Sequence, residues 1–267
     1  MIPKLIALDI DGTLLAPGAL AEALPDPEIT QVIAQLMNAG VSVALATGRM
    51  YPGTVRIARH LGVHLPLICQ QGAATHELNG RIKQEFCIDP GIAAELVAYA
   101  QANNWPYAWF DSERYLVSDP NEQCRQFAAV SGIPIEFVDA PHTSGVRATG
   151  VDIISSQAHA SAIHAQLAHA HGEAVQLVNF PSVTAAYSPL ATKGYAVQQL
   201  ASELSIPQAA VLAIGDGVND VSMLKWAGLS AAPEHADAYA RDAADELLPG
   251  KGVAGVARRL RAVLAQL

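Results

Sequence analysis

Leu5-Ile6-Ala7-Leu8-Asp9-Ile10-Asp11-Gly12-Thr13-Leu14 opens this chain and carries most of what decides its fold. Leu5 to Ile10 is a short apolar run rich in branched residues, closed by Gly12, and reads as a buried strand. A well-punctuated helix follows. Asp26 is a candidate N-cap, Pro27 sits at the first helical position, and Gly40 lies just past the end. Between them Ile29, Val32, Ile33, Leu36 and Met37 recur at helical spacing and form one apolar stripe. Val41 to Ala46 reads as a second buried strand, and a helix from Pro52 to Leu61 stops at Gly62. Leu65 to Cys69 reads as a third strand. This β-α-β-α-β order predicts an α/β fold with a doubly wound parallel sheet, covered on both faces.

The pattern changes near residue 75. Asn79-Gly80 between short mixed segments predicts a two-residue hairpin. A helix is expected over 90–103 and short strands at Tyr107 to Phe110 and Tyr115 to Ser118. Further helices are expected near 121–131 and 158–170, with strands at Val151 to Ser155, Val175 to Val178 and Val183 to Tyr187. Paired neighbouring strands point to an α+β module with an antiparallel sheet. From Lys193 the α/β alternation resumes, with a helix to Leu204, the strand Val211 to Ile214, a helix over 219–227 and a closing helix from Val253. The simplest organisation is one α/β core, residues 1–82 and 188–267, interrupted by an α+β insert at 83–187, which is within the usual size of a domain.

Composition narrows the function. Of 267 residues, 51% are hydrophobic and 15% charged, ample for a sizeable core and incompatible with a disordered chain. Sixteen basic against 25 acidic residues give a formal charge of −9. That argues against a non-specific nucleic-acid or anionic-membrane binder, because both need clustered Lys and Arg. An anionic substrate would then need a local cation. Cys69, Cys87 and Cys124 form neither a zinc pattern nor an even disulfide framework, which suits a reducing compartment. The apolar start carries Asp9 and Asp11 where a signal peptide would need an uninterrupted apolar stretch. No run of ~18 apolar residues occurs. A cytoplasmic protein that spans no membrane is expected.

The chemistry gathers at one sheet edge, outside the carboxyl ends of the strands, where open α/β sheets bind ligands. Asp9 and Asp11 are two apart at the end of the first strand, a spacing that aims both carboxylates to one side. Carboxylates that close repel unless a proton or metal intervenes, and paired acids with substrate phosphate form a common Mg²⁺ setting. Thr47-Gly48-Arg49 ends the second strand with a hydroxyl and an open backbone. Lys193 starts a helix, where its charge opposes the macrodipole; a bound anion or a solvated, frayed end would each relieve that conflict. Gly215-Asp216-Gly217-Val218-Asn219-Asp220 follows the strand Val211 to Ile214 and adds two carboxylates. Asp220 occupies the place of a third glycine, so this is not a dinucleotide fingerprint.

Taken together and in order, these four pieces resemble the haloacid dehalogenase superfamily of aspartate-nucleophile phosphatases. The likeness is greatest to its Cof-type sugar-phosphatase branch, whose type IIB cap is inserted between the second and third motifs. The resemblance spans the chain, and it implies Asp9 as nucleophile and Asp11 as general acid and base. It implies Mg²⁺ held by Asp9, the main-chain carbonyl of Asp11 and Asp216, with Asp220 as ligand or in support of the ligands. Thr47, Gly48 and Lys193 would bind the phosphoryl oxygens of a small phosphorylated substrate, with Asn219 in support; Arg49 and Gln71 are candidates for substrate contact. The family usually carries Asn-Gly-Ala where this chain has Gln71-Gly72-Ala73, an amide one methylene longer. It often carries Gly-Asn-Ala where this chain has Ala231-Ala232-Pro233. A phosphohexomutase-type phosphotransferase and a catalytically silent regulator share the motifs and are the rival readings. A phospho-accepting signalling receiver also uses acids, Thr and Lys, but in a compact domain without an insert.

Two other groups of residues read as structural. His159, His164, His169 and His171 are spaced so that steps of five turn ~140° past a full helical turn, so they share no face. Trp105, Tyr107, Trp109, Phe110 and Tyr115 suit the core of a small sheet better than a sugar pocket.

Overall fold

The computed structural model describes residues 2–125 and 133–267. Contacts divide the chain into two units, Met1–Lys83 with Thr192–Leu267, and Gln84–Ala191.

The first unit is built on a five-stranded parallel sheet of β1 (Leu5–Leu8), β2 (Ser42–Leu45), β12 (Val211–Ile214), β13 (Leu229–Pro233) and β14 (Glu246–Leu248). Their spatial order is β14-β13-β12-β1-β2. β1 lies between β12 and β2 in parallel register, with Leu5 opposite both Val211 and Ser42. Side chains alternate across the sheet. Ile6 and Leu8 pack with Val43, Leu45, Leu212 and Ile214 beneath the helices α1 (Pro27–Asn38), α2 (Tyr51–Leu61) and α8 (Ala254–Leu264). Leu5 and Ala7 pack with Ala44, Ala46, Val211 and Ala213 on the other face, against α5 (Lys193–Glu203) and α6 (Val221–Trp226). Both faces are apolar because both are covered, the property of a doubly wound parallel sheet. The α1 stripe buries Ile29, Val32, Ile33 and Leu36, each worth about 1.5–3 kcal/mol on burial.

β3 (Leu67–Cys69) touches the parallel sheet through one bridge, Ala46 to Ile68. It pairs antiparallel with β4 (Ala74–His76), which continues to β5 (Ile82–Glu85). The connection at Asn79-Gly80 is longer than the two residues expected, running over 77–81. There the Gly80 N–H donates to the Glu77 carbonyl, and Arg81 pairs with the Glu77 carboxylate.

The second unit has six strands in the order β10-β11-β9-β6-β7-β8. They are β6 (Tyr107–Phe110), β7 (Tyr115–Val117), β8 (Ile135–Phe137), β9 (Gly150–Ile154), β10 (Gln176–Asn179) and β11 (Val183–Tyr187). Neighbours run antiparallel except β7 and β8. The helices α3 (Pro90–Ala102) and α4 (Gln157–His171) pack Leu96, Val97, Ile163 and Leu167 against Tyr107, Val151 and Ile153. Asp89 caps α3 by accepting from the Gly91 and Ile92 amides. The helix expected near 121–131 is present over 122–125, and its remainder, 126–131, lies outside the described residues.

Other differences follow from context. β8, β13, β14 and the six-residue α7 (Ala238–Ala243) are not evident in the sequence. β13 reads Leu-Ser-Ala-Ala-Pro, weak in intrinsic β-propensity, yet sits buried between β12 and β14, where sheet packing overrides propensity. The helix expected over 219–227 is a 3₁₀ turn, Val218–Asp220, followed by α6. The histidines of α4 part company as their spacing requires: His159 lies against Trp105 and His171 beside Glu95. Tyr107, Phe110 and Tyr115 are buried in the second unit. The three cysteines are free. Among the described residues no helix is long and apolar enough to cross a membrane.

Candidate active site

The alternation along β1 decides where its carboxylate goes. Leu5 and Ala7 face α5, and the ladder continues one residue further, since the Asp9 N–H donates to the Ile214 carbonyl at 3.0 Å. Asp9 therefore belongs to the same row and meets the first residue of α5. Lys193 Nζ donates to Asp9 Oδ1 at 2.6 Å and to Asp220 Oδ1 at 2.6 Å. Lys193 is wholly buried, not a solvated lysine at a frayed end. Thr192 caps the helix by accepting the Tyr195 amide, and Ser222 Oγ accepts the Gly194 amide. The conflict between a cation and the positive end of a helix is offset by two buried carboxylates.

Asp9, Asp216 and Asp220 offer carboxylate oxygens that all lie within 4.8 Å of one another. Burial pushes Asp9 well above the ordinary carboxylate range; Lys193 pulls it down, and Asp220 and Asp216 push it further up. Asp216 is pushed up to about 7, by burial first and then by Asp220, against the opposing pull of Lys193 and Thr13. For Lys193 burial works against the charge, but Asp220 and Asp9 outweigh it and raise the pKa. Three carboxylates against one ammonium leave excess negative charge in a buried place. Protonation or a hard divalent cation relieves it, and an all-oxygen donor set suits Mg²⁺. The residues therefore fit the metal that the sequence motifs imply.

Within the cluster Asp220 is fully engaged. Its Oδ1 faces Lys193, while Oδ2 accepts the Asp216 and Gly217 amides at 2.9 Å each. It orients the lysine and the backbone carrying Asp216. Asn219 donates to Gln71 Oε1 at 3.0 Å and so joins this loop to the end of β3.

Asp11 is not brought into the group. β1 ends at Leu8, and the chain turns as the amides of Thr13, Leu14 and Leu15 converge on the Ile10 carbonyl. Gly12 makes that turn at φ +82°, and a Cβ there would overlap the Asp216 carboxylate. The strand geometry that would aim both acids at one spot is thus broken between them. Asp11 is exposed and bound by Arg49, Nε to Oδ2 at 2.8 Å and Nη2 to Oδ1 at 2.5 Å. Arg49 Nη1 donates to the Ala21 carbonyl at 3.1 Å. The guanidinium is therefore engaged with the Asp11 carboxylate and a loop carbonyl.

Thr47 is buried at the end of β2, its Oγ1 accepting the Arg49 amide at 3.1 Å. Gly48 lies beside Gln71, whose own amide donates to the Thr47 carbonyl. Three contacts escaped the sequence reading. Thr13 Oγ1 faces Asp216 Oδ1 at 3.4 Å, His235 Nε2 contacts the Gly12 carbonyl at 2.7 Å, and Asp237 accepts the Val218 amide at 2.7 Å. Thr13 lies inside the first motif and was within reach of inspection. His235 and Asp237 have no local signature, because their partners are about 20 to 220 positions away.

The sequence model of the haloacid dehalogenase-like hydrolases matches residues 6–260. Phosphatase YwpJ of Bacillus subtilis (strain 168) is 25% identical, covering 98% of this chain and 100% of that protein. The phosphoglycolate phosphatase of Halorubrum lacusprofundi is 28% identical over 98% of each. A solved structure of a haloacid dehalogenase-like hydrolase from B. subtilis superposes with a TM-score of 0.83 at 23% identity, covering 97% of this chain and 99% of that one. With the acid cluster and its lysine standing at the strand ends of a doubly wound sheet, the chain belongs to the haloacid dehalogenase-like hydrolase family.

Proposed function

We propose that this phosphatase is a Mg²⁺-dependent phosphomonoester hydrolase acting on small phosphorylated metabolites, sugar phosphates among them, through an aspartyl-phosphate. The observation that carries the reading is the buried Asp9 carboxylate with Lys193 on Oδ1 at 2.6 Å, which leaves the second oxygen for attack. The 28% identity to a phosphoglycolate phosphatase supports a small phosphorylated substrate. Three free cysteines and an acidic composition support a reducing, cytoplasmic setting and argue against nucleic-acid or membrane partners.

In this reading an Asp9 oxygen forms a bond to the substrate phosphorus as the bond to the leaving oxygen breaks. Asp11, once released from its ion pair with Arg49 and protonated, gives that oxygen its proton, so the product leaves as an alcohol. A water then attacks the same phosphorus and loses its proton to Asp11, which releases phosphate and restores Asp9. Lys193, Thr47 and the Gly48 backbone receive the charge that develops on the phosphoryl oxygens. Asp9 and Asp216, with the Asp11 main-chain carbonyl, would hold Mg²⁺, which supplies charge neutralisation between carboxylate and phosphate. Asp220 holds Lys193 and the Asp216 amide in place.

The test is phosphate release from sugar phosphates, nucleotides, phosphoglycolate and an aryl phosphate, with Mg²⁺ and with chelator, for the wild type and Asp9→Asn. Metal-dependent turnover that disappears in Asp9→Asn is expected. Turnover surviving in Asp9→Asn would remove the nucleophile assignment. Transfer to a sugar hydroxyl without net release would replace hydrolase by phosphotransferase.

A further inference from the structure

Gln70 and Gln71 occupy the left-handed region consecutively, at φ 48° and 61°. Neither is a glycine, and both are buried. A non-glycine residue there is held against its own preference, a condition that the surrounding structure must enforce and that gathers at functional sites. Here the enforcement is visible. The Gln70 amide donates to the Arg49 carbonyl at 3.0 Å and the Gln71 amide to the Thr47 carbonyl at 3.1 Å. Gly72 lies directly against the Thr192 carbonyl. This three-residue turn thus touches the segments that carry Thr47, Arg49 and Lys193.

The Gln71 side chain completes the link. Its Oε1 accepts from Asn219 Nδ2 at 3.0 Å, which turns the NH₂ end the other way, over Gly48. A Cβ at position 48 would overlap Nε2, so this glycine makes room for the amide. Gln71 is only 4% exposed. No acceptor among the described residues is hydrogen-bonded to its Nε2. A donor held in place by Asn219 and without an acceptor on the chain is free to donate to a ligand oxygen placed above Gly48.

We propose that Gln71 is a further phosphoryl-binding residue, its NH₂ group donating to an oxygen of the substrate phosphate above Gly48. This rests on the phosphatase reading of the site. The ligand class is a phosphate monoester dianion or inorganic phosphate, for which the NH₂ adds a neutral donor beside Lys193. Asn219 acts through Gln71 as a positioning residue, because it fixes which end of the amide faces the ligand.

Gln71→Glu separates binding from support. Glutamate keeps the oxygen that accepts from Asn219 and replaces the donor with a second oxygen, while Gln71→Met removes both. Calorimetric binding of inorganic phosphate to the Mg²⁺-supplied protein reads the effect without turnover. A loss of about tenfold or more in affinity is expected for Gln71→Met, the scale of one hydrogen bond to a charged group. A larger loss is expected for Gln71→Glu, measured well below the thermal midpoint of each variant so that folded proteins are compared. Phosphate affinity within twofold of the wild type in Gln71→Glu would overturn the proposal and leave Gln71 as a prop for Asn219. Failure of the phosphatase reading itself would show separately, as wild-type protein that turns over no phosphate ester.

Discussion

Each unit of this protein buries a carboxylate in a β-sheet, and the two are handled differently. In the α/β unit Asp9 is 4% exposed and faces a buried ammonium, Lys193, with Asp216 and Asp220 adding negative charge nearby. In the inserted unit Asp152, on β9, is 3% exposed and its partner is the Tyr115 hydroxyl, which donates to Oδ2. No cation pairs with Asp152 among the described residues, and its Oδ1 has no hydrogen bond there. Burial pushes Asp152 up to about 7, and the Tyr115 bond only partly opposes this. Both carboxyls are pushed above the ordinary range by burial; at Asp9 a buried cation opposes the push, whereas Asp152 has only a neutral hydroxyl to do so.

The comparison breaks most visibly at Lys193. Lys193→Met leaves Asp9 and Asp220 buried without their cation, and removal of one partner from a buried pair costs about 3–5 kcal/mol. Denaturant unfolding should show that loss, along with absent turnover. An unchanged midpoint would mean that the two acids do not depend on the lysine.

Asp152→Asn should act in the opposite direction. A carboxyl whose folded pKa is raised contributes stability that is full below its unfolded pKa, near 3.9, and lost as pH rises through about 7. The variant carries no such loss. Its stability relative to the wild type should therefore rise between about pH 4 and pH 8, by at most about 4 kcal/mol. A constant difference across that range would show that Asp152 does not titrate in the folded protein.

Metal should distinguish the two acids as well. Mg²⁺ at a hundred times its dissociation constant stabilises a folded protein by about 2.7 kcal/mol. The wild-type and Asp152→Asn melting temperatures should rise with Mg²⁺, whereas that of Asp216→Asn should rise much less. Equal shifts in all three would place the ion elsewhere. The smallest effect is expected from Tyr115→Phe, about 1–2 kcal/mol for a lost hydrogen bond. It should be greater at about pH 8 than at about pH 5, because the hydroxyl supports the ionised carboxylate; a pH-independent loss would attribute it to packing alone.

Much of the α/β unit was legible because its signals are local. The strand at Leu5–Leu8 is a branched apolar run, and α1 has a proline at its first turn, a single stripe and a glycine past its end. The acids at 9, 216 and 220 were legible because they lie in the short segments that follow β1 and β12. β13 and β14 were not, since alanine-rich and three-residue strands take their conformation from neighbours already in the sheet. The hairpin at Asn79-Gly80 was recognisable as a turn, but its length depends on where pairing begins on either side.

The order of residues alone therefore determined the chemistry on offer: which carboxylates, which lysine, and at which strand ends. It determined which residues of β1 share a face as well, because a strand's period of two needs no partner to be read. Only the tertiary structure decided which of those groups meet. Asp9 and Lys193 are 184 positions apart and touch at 2.6 Å, while Asp9 and Asp11 are two apart and separate. The reason is that contact across a sheet depends on register and on the turn at Gly12, neither of which is encoded by spacing along the chain. The same holds for the Gln71 amide, whose direction is set by Asn219 from a different strand end.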